Sequence, residues 1–456
     1  MRKILVIGAG KSTAVLIQYF KDKSKTENLH ITIGDISISS AQKLASDHPS
    51  TIAISLDIFN KTSREKAIKE ADIVVSMLPA RFHIQVAKDC IKYRKSMVTA
   101  SYVSEEMQQL DKEAKEKGLI FMNEIGVDPG IDHMSAMQVI DRIRSQNGKI
   151  ILFESFTGGL VAPESDTNLW NYKFTWNPRN VVISGQGSAA EFIQEGAYKY
   201  IPYHKLFRRT EFLEVDEYGR FEAYANRNSL KYQRIYGLDD ILTLYRGTIR
   251  RVGFSKAWNI FIQLGMTADD YTLENSEHMS YRDFTNSFLA YSPTDSVELK
   301  LRHYLKIDQD DIIWDKLVEL DVFNKDKKVG IPNATPAQIL QKILMETWTL
   351  DQKDKDMIVM YHKFGYEIDG ERKQIDATMV CIGENQTYTA MAKTVGLPVA
   401  IATLKILNKE ITTPGVQIPI RKEIYTPILR ELETYGIIFK EKECEYLGYN
   451  PDGVTG

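Results

Sequence analysis

Lys3-Ile-Leu-Val-Ile7, then Gly8-Ala-Gly10-Lys-Ser-Thr13, then His30-Ile-Thr-Ile-Gly34-Asp35 decide how this chain is read. The first is a short apolar, β-branched run, the pattern of a parallel strand buried on both faces. It breaks at once into a glycine turn, and Ala14-Val-Leu-Ile-Gln-Tyr-Phe20 then predicts a helix. A second strand follows and ends on an acid. Strand, glycine turn, helix, strand and carboxylate make the first half of a dinucleotide-binding unit. Gly8 allows the tight turn, and Gly10 lets the backbone approach a pyrophosphate at the helix N-terminus. Asp35 lies about 20 residues on, where a carboxylate accepts hydrogen bonds from ribose hydroxyls. The third glycine position holds Thr13, so helix and strand are expected to pack slightly further apart than in the ideal fingerprint. Gly10-Lys-Ser-Thr13 also matches the end of a P-loop, but that motif needs a glycine where Leu5 stands, and an ATPase reading is rejected.

The alternation continues outward from this start. Strands are predicted at Thr51 to Leu56, Ala71 to Leu78, Ser96 to Ala100 and Leu119 to Met122, with helices at Lys61 to Lys69, Phe82 to Tyr93 and Ser104 to Gly118. That order implies a doubly wound parallel sheet of Rossmann type, with ligands outside the carboxyl ends of its strands. Candidate cofactor-binding residues are therefore Gly8, Gly10, Lys11, Ser12 and Thr13 of the turn, Asp35, Leu78 and Pro79, Ser101, and Val127 and Pro129. Further on, aromatic and alternating stretches broken by Gly and Pro predict a second α/β domain with a mixed, largely antiparallel sheet. The residues between 267 and 353 predict a small helical lobe. The expected domains are 1–130, completed by about 390–456; 131–266 with about 354–389; and 267–353. Gln386 to Asn408 reads as a long helix interrupted at Gly396-Leu-Pro398.

With 456 residues, more than one core is expected. The 58 basic and 61 acidic residues leave a net charge of −3, which gives no electrostatic case for nucleic acid or an anionic membrane. Cys90, Cys381 and Cys444 are far apart and suit a reducing cytosol; neither a disulfide framework nor a metal site is expected. No apolar run approaches 18 residues and no signal segment opens the chain, so a soluble, cytoplasmic protein is expected.

Asn123-Glu-Ile-Gly-Val-Asp-Pro-Gly-Ile-Asp-His133 is the most unusual stretch. Pro129 and Gly130 place a turn at the mouth of the sixth strand, so Asp128 projects to the same edge as the glycine turn. Asp128 and Asp132 could equally cap the turn and the helix behind it, and His133 reads as a structural helix residue. Ser101-Tyr102 leaves the fifth strand on that edge, where a phenol orients a substrate, shuttles a proton, or simply covers the sheet end. Gly158-Gly159 marks either a ligand's close approach or a bend. Trp170-Asn-Tyr-Lys-Phe-Thr-Trp176 reads as pocket wall or core. Arg227 and Arg250 are candidates to grip carboxylates.

Together these stretches resemble the saccharopine dehydrogenase family, in its glutamate-forming branch. The resemblance rests on Ser101-Tyr102, Met122 to His133, Gly158-Gly-Leu-Val-Ala-Pro-Glu-Ser165, Tyr172 to Trp176, Arg246-Gly-Thr-Ile-Arg250, Thr389 to Pro398 and Glu423-Ile-Tyr-Thr-Pro427. It implies oxidation of the secondary amine of saccharopine by a nicotinamide cofactor, then imine hydrolysis to glutamate and 2-aminoadipate 6-semialdehyde. It places Tyr102 and Asp128 at the reacting centre, with Ser101, Tyr102, Arg227, Thr248 and Arg250 on the substrate. It also implies a homodimer and a last segment that returns to the nucleotide domain. Thr157 stands where fungal relatives carry a cysteine, which excludes a mechanism needing a thiol there. Asp35 would repel a 2′-phosphate and no arginine immediately follows it, so NAD is expected over NADP. A carboxyspermidine-type C–N oxidoreductase and a non-catalytic NAD sensor are the competing readings.

Overall fold

The computed structural model describes residues 1–184 and 186–448, with the backbone of Val454–Thr455. It divides into two compact units, Met1–Asn147 with Met379–Lys440, and Gly148–Thr378 with Glu441–Gly456.

The first unit runs β1 (Arg2–Ile7), α1 (Ala14–Lys23), β2 (Leu29–Asp35), α2 (Ile38–Ala45), β3 (Thr51–Ser55), α3 (Lys61–Glu70), β4 (Ile73–Ser76), α4 (His83–Tyr93) and β5 (Ser96–Val98). Then come α5 (Glu105–Gln109), α6 (Asp111–Glu116), β6 (Ile120–Met122), α7 (Ile131–Ser145), α8 (Ala390–Leu407), β7 (Gly415–Gln417) and α9 (Lys422–Thr434). Its sheet has the order β7-β6-β5-β4-β1-β2-β3, and every neighbour is parallel. The nucleotide-binding order predicted from the opening residues is therefore present, with one strand added from the far end of the chain. Leu5, Ile7, Val74 and Phe121 of the sheet are buried in one cluster with Val86 and Cys90 of α4. Each such aliphatic side chain contributes about 1.5–3 kcal/mol on leaving water.

On the opposite side α8 packs against α1, β4 and β5. Gly396 lets it do so, because a Cβ there would stand 3.0 Å from Leu16 N and 3.2 Å from Ser12 O. The predicted interruption at Gly396-Leu-Pro398 does not occur; α8 runs through Pro398. Proline in a helix interior costs about 3 kcal/mol in isolation, and the burial of Leu397, Val399, Ala400 and Ile401 around it offsets that cost. By length and composition α8 is apolar enough to cross a membrane, but 72% of it is buried inside the protein. It is a core helix. The predicted helix from Ser104 to Gly118 is two short helices that meet at Leu110.

The division between units falls after Asn147, not at 130. Helix α7 packs on α9, and Tyr425 OH donates to Asp141 Oδ2 at 2.7 Å, which keeps α7 with the first unit. The expected return of the tail covers 379–440, while the described residues from Glu441 to Gly448 lie with the second unit.

The second unit is built on a mixed sheet. Its strand Lys149–Val161 pairs parallel with Thr243–Arg251 and antiparallel with Asp356–Ile368. Gly158 sits where a Cβ would come within 2.5 Å of Ile249 O, so its close neighbour is the adjacent strand's backbone. The helices Tyr281–Asn286, Val297–Leu305, Ile312–Glu319 and Pro336–Trp348 of the predicted lobe belong to this same unit. Trp170, Tyr172 and Phe174 lie in an irregular segment, buried against Phe254, Phe261 and Trp348. Those three aromatics are core, while Trp176 at the end of the stretch is exposed.

Candidate active site

Strands β1 and β4 end side by side where the strand order reverses, the point at which such sheets bind ligands. Gly8 has φ 107°, and a Cβ there would come within 2.8 Å of Met77 O. Only glycine lets the two exits lie this close. Gly10 faces open space where a Cβ would stand, at the head of the 3-10 turn Lys11–Thr13 that runs into α1. Lys11 is exposed and Ser12 half-buried, while Thr13 is buried and donates its hydroxyl back to Gly8 O at 3.2 Å. The Asp35 carboxylate is held by two peptide groups, with Ala9 N donating to Oδ2 at 2.7 Å and Ser37 N to Oδ1 at 2.8 Å. A fixed negative charge therefore stands beside the glycine turn. Open backbone donors at a helix start and a fixed acid at the end of β2 fit a dinucleotide.

The next exits carry a feature the sequence did not flag. His83, at the start of α4, meets Ser76 Oγ at 2.8 Å through Nδ1 and Ser101 Oγ at 2.7 Å through Nε2. Thr99 Oγ1 lies 3.3 Å from the same Nε2 and accepts the Ser101 backbone N–H at 3.3 Å. A neutral ring satisfies both hydroxyls, donating to one and accepting from the other. Burial pushes the His83 pKa from 6.5 down to about 4. Ser101 is thus tied to the exit of β4, which also carries Leu78 (half-buried) and Pro79 (exposed). The sign of the pH effect follows. The unfolded chain binds this proton near 6.5 and the folded protein only near 4, so His83's contribution is complete above 6.5. It is lost as pH falls through that window, up to roughly 3 kcal/mol. In His83→Gln, the part of the Tm decline between pH 7 and pH 4.5 that this group causes is expected to vanish. An unchanged pH slope would show that His83 is not the group responsible.

Tyr102 and Asp128 come together. The Tyr102 hydroxyl lies 3.4 Å from Asp128 Oδ1, with the phenol 47% exposed and the carboxylate half-buried. Asp128 sits in a closed loop, with a cis Asp128–Pro129 peptide, in which Gly126 N donates to Pro129 O at 2.8 Å and Ile131 N to Gly126 O at 2.9 Å. Gly130 has φ 146°, and a Cβ there would stand 2.1 Å from Gly126 O. Gly130→Ala is therefore expected to break this loop; unchanged turnover and Tm in that variant would contradict it. Val127 and Pro129 are buried in the loop. Asp132 is the turn's cap, accepting Gly130 N at 2.6 Å, which leaves Asp128 as the acid at the mouth. Chemically, the pair can take up a proton at the carboxylate and orient a polar group at the phenol.

In the second unit the two arginines differ. Arg227 is exposed and donates to Ser184 O at 3.2 Å. Arg250 is 5% exposed, and among the described residues no carboxylate pairs with it. Glu222, opposite it in the neighbouring strand, is committed to Gly253 N at 2.8 Å and Ser255 N at 2.6 Å. The Arg250 guanidinium lies over the rings of Tyr172 and Phe254, at 5.0 and 5.3 Å, and its Nη1 donates to Ile249 O at 2.8 Å, while its Nε and the Tyr172 hydroxyl have no hydrogen-bond partner among the described residues. A buried guanidinium with its Nε left unsatisfied can bind an anion. Thr248, half-buried on the same strand, donates to Asn226 Oδ1 at 2.7 Å.

The fold, the glycine turn and the strand-end groups define an oxidoreductase of the Rossmann class that takes a nicotinamide dinucleotide. Residues 4–122 match the saccharopine dehydrogenase NADP binding domain, and residues 126–437 match the saccharopine dehydrogenase C-terminal domain. The chain belongs to the saccharopine dehydrogenase family. It is 32% identical over 448 residues to the NADP(+), L-glutamate-forming saccharopine dehydrogenase of Saccharomyces cerevisiae, covering 97% of this chain and 99% of that one. It is also 32% identical to the mitochondrial alpha-aminoadipic semialdehyde synthase of Rattus norvegicus, but spans only 47% of that longer protein. The structure of the apo yeast enzyme superposes with a TM-score of 0.88 at 31% identity, over 97% of this chain and 100% of that one. The NAD complex of homospermidine synthase from Legionella pneumophila, at 10% identity and a TM-score of 0.53 over 98% of this chain and 92% of that one, shares the fold alone.

Proposed function

We propose that the protein oxidises the secondary amine of saccharopine, with NAD as hydride acceptor, and releases L-glutamate and 2-aminoadipate 6-semialdehyde. The observation that carries this reading is the Tyr102–Asp128 pair, 3.4 Å apart on the carboxyl edge of the nucleotide sheet. Near-full-length likeness to glutamate-forming saccharopine dehydrogenases supports the choice of substrate.

A nicotinamide cofactor, when bound, would supply the acceptor for the hydride lost from the methylene carbon next to the amine nitrogen. The rest falls to the chain. Asp128 takes the proton that keeps the amine uncharged, since an ammonium has no lone pair to push the hydride out. After the C=N bond forms, Asp128 has released the amine's proton to solvent, and its carboxylate takes a proton from water as the water oxygen bonds to that carbon. Tyr102 holds the water or the nitrogen; Asp128 returns the proton to the nitrogen, and the C–N bond breaks as the carbinol O–H gives up its proton to solvent, leaving the aldehyde and glutamate. Arg250 is the carboxylate-binding candidate of the second unit, its Nε being without a hydrogen-bond partner among the described residues.

The yeast relative named above is an NADP(+) enzyme, whereas in this chain Asp35 fixes a negative charge at the end of β2. Ile36-Ser37-Ile38-Ser39-Ser40 follows it with no cation to receive a 2′-phosphate. The ratio of kcat/KM for NAD to that for NADP is expected to exceed about tenfold, and to fall by at least about tenfold in Asp35→Ser, a change of about 1.4 kcal/mol. A parent enzyme that prefers NADP would remove the Asp35 argument and leave the reaction standing. A homodimer and a cytoplasmic location complete the reading; sedimentation and fractionation test them.

A further inference from the structure

Glu124 is buried, 1% exposed, and its backbone is left-handed at φ 54°. A residue other than glycine holds that conformation only when its surroundings fix it. The surroundings are specific. The Glu124 backbone N–H donates to Ser101 O at 3.0 Å. Its Oε1 accepts from Val103 N at 3.0 Å. Its Oε2 accepts from His133 Nε2 at 2.9 Å, in the first turn of α7. One residue therefore holds the peptide groups on both sides of Tyr102. Its other oxygen is anchored to the helix into which the Asp128 loop runs.

We infer that Glu124 is the positioning residue for the Tyr102–Asp128 pair. The Tyr102 ring is 47% exposed. Its hydroxyl reaches Asp128 because the Ser101–Val103 backbone is clamped by Glu124, and Glu124 is in turn set against α7 by His133. A displacement of about 1 Å at a reacting group costs on the order of a hundredfold in rate, so a clamp of this kind shows in turnover before it shows in binding. The inference rests on Tyr102 acting in the reaction, as proposed above.

The test is a double-variant cycle on the full-length protein, with saccharopine and NAD, reading kcat, KM, nucleotide Kd and Tm for each variant. Glu124→Ala, which removes both side-chain bonds, is expected to lower kcat about 30- to 100-fold, with nucleotide Kd within about twofold and saccharopine KM within about threefold. In a Tyr102→Phe background the same substitution should cost less than about threefold more, because the group it positions is already gone. Equal losses in both backgrounds would overturn the inference, since a residue that only supports the fold acts independently of the Tyr102 hydroxyl. So would a kcat for Glu124→Ala within about threefold of the parent while Tyr102→Phe is impaired. Full turnover in Tyr102→Phe would instead remove the role of Tyr102, and the inference with it. If Glu124→Ala does not fold, Glu124→Gln decides: it keeps an oxygen for Val103 N but loses the carboxylate facing His133. A fall of about 3- to 10-fold, absent in the Tyr102→Phe background, supports the clamp, and an unchanged kcat overturns it.

Discussion

Asp128→Asn is expected to lower turnover of saccharopine about a hundred- to ten-thousand-fold while nucleotide affinity stays within about twofold. The carboxamide has the size of the carboxylate and keeps an oxygen facing the Tyr102 hydroxyl, 3.4 Å away in the parent. What it cannot do is take a proton. Saccharopine's secondary amine is protonated in neutral water, and hydride departs only from the uncharged form. Losing the acceptor therefore acts on the chemical step. The loop itself should survive, because it is closed by backbone bonds from Gly126 and Ile131 and by Asp132, none of which involves the Asp128 side chain in that closure. Initial rates of reduced-cofactor formation, with nucleotide binding measured in parallel by fluorescence, check both halves. Turnover within about threefold of the parent would remove Asp128 as the proton acceptor.

Arg250→Met is expected to separate binding from stability in the opposite sense. The saccharopine KM should rise at least about a hundredfold, equivalent to about 3 kcal/mol, since an ionic contact in a desolvated site is lost. Yet the Tm should hold or increase. The parent buries an arginine with no carboxylate partner among the described residues, at 5% exposure, and replacing a buried ion that lacks a counter-charge by an apolar side chain of similar length relieves its desolvation. The contacts with Tyr172 and Phe254 that the guanidinium makes are largely kept by a thioether. A Tm that falls by several degrees with KM unchanged would make Arg250 a structural residue. An amine substrate rich in positive charge, as the carboxyspermidine-type reading requires, would gain from the same substitution.

The parts of this protein that were legible in its sequence are those governed by local spacing. Gly8, Gly10 and Asp35 announce the nucleotide turn because each answers to a backbone requirement within one β-α-β unit, and the structure places all three at the switch of the strand order. The added strand Gly415–Gln417 is too short to show a period, and its place beside β6 is set by packing some three hundred residues away in the chain. Pro398 misled for a related reason, since a local rule was outweighed by burial around α8. Arg227 and Arg250 were equal candidates by pattern, and only burial and the commitment of Glu222 distinguish them. His83 and Glu124 were out of reach altogether. Each bridges separate strand exits, and no spacing rule signals a histidine that joins Ser76 to Ser101 or a glutamate held at φ 54°. The unusual run from Asn123 to His133 did contain Glu124, so the signal was the oddity of the stretch and not the residue.

The most direct test of the central claim is the initial rate of reduced-cofactor appearance with purified protein and saccharopine, run side by side with NAD and NADP and with glutamate assayed in the same samples. The account predicts reduced cofactor and glutamate in equal amounts, faster with NAD. Tight nucleotide binding with neither cofactor reduced would contradict it, and would point to another amine or to a protein that only senses the nucleotide.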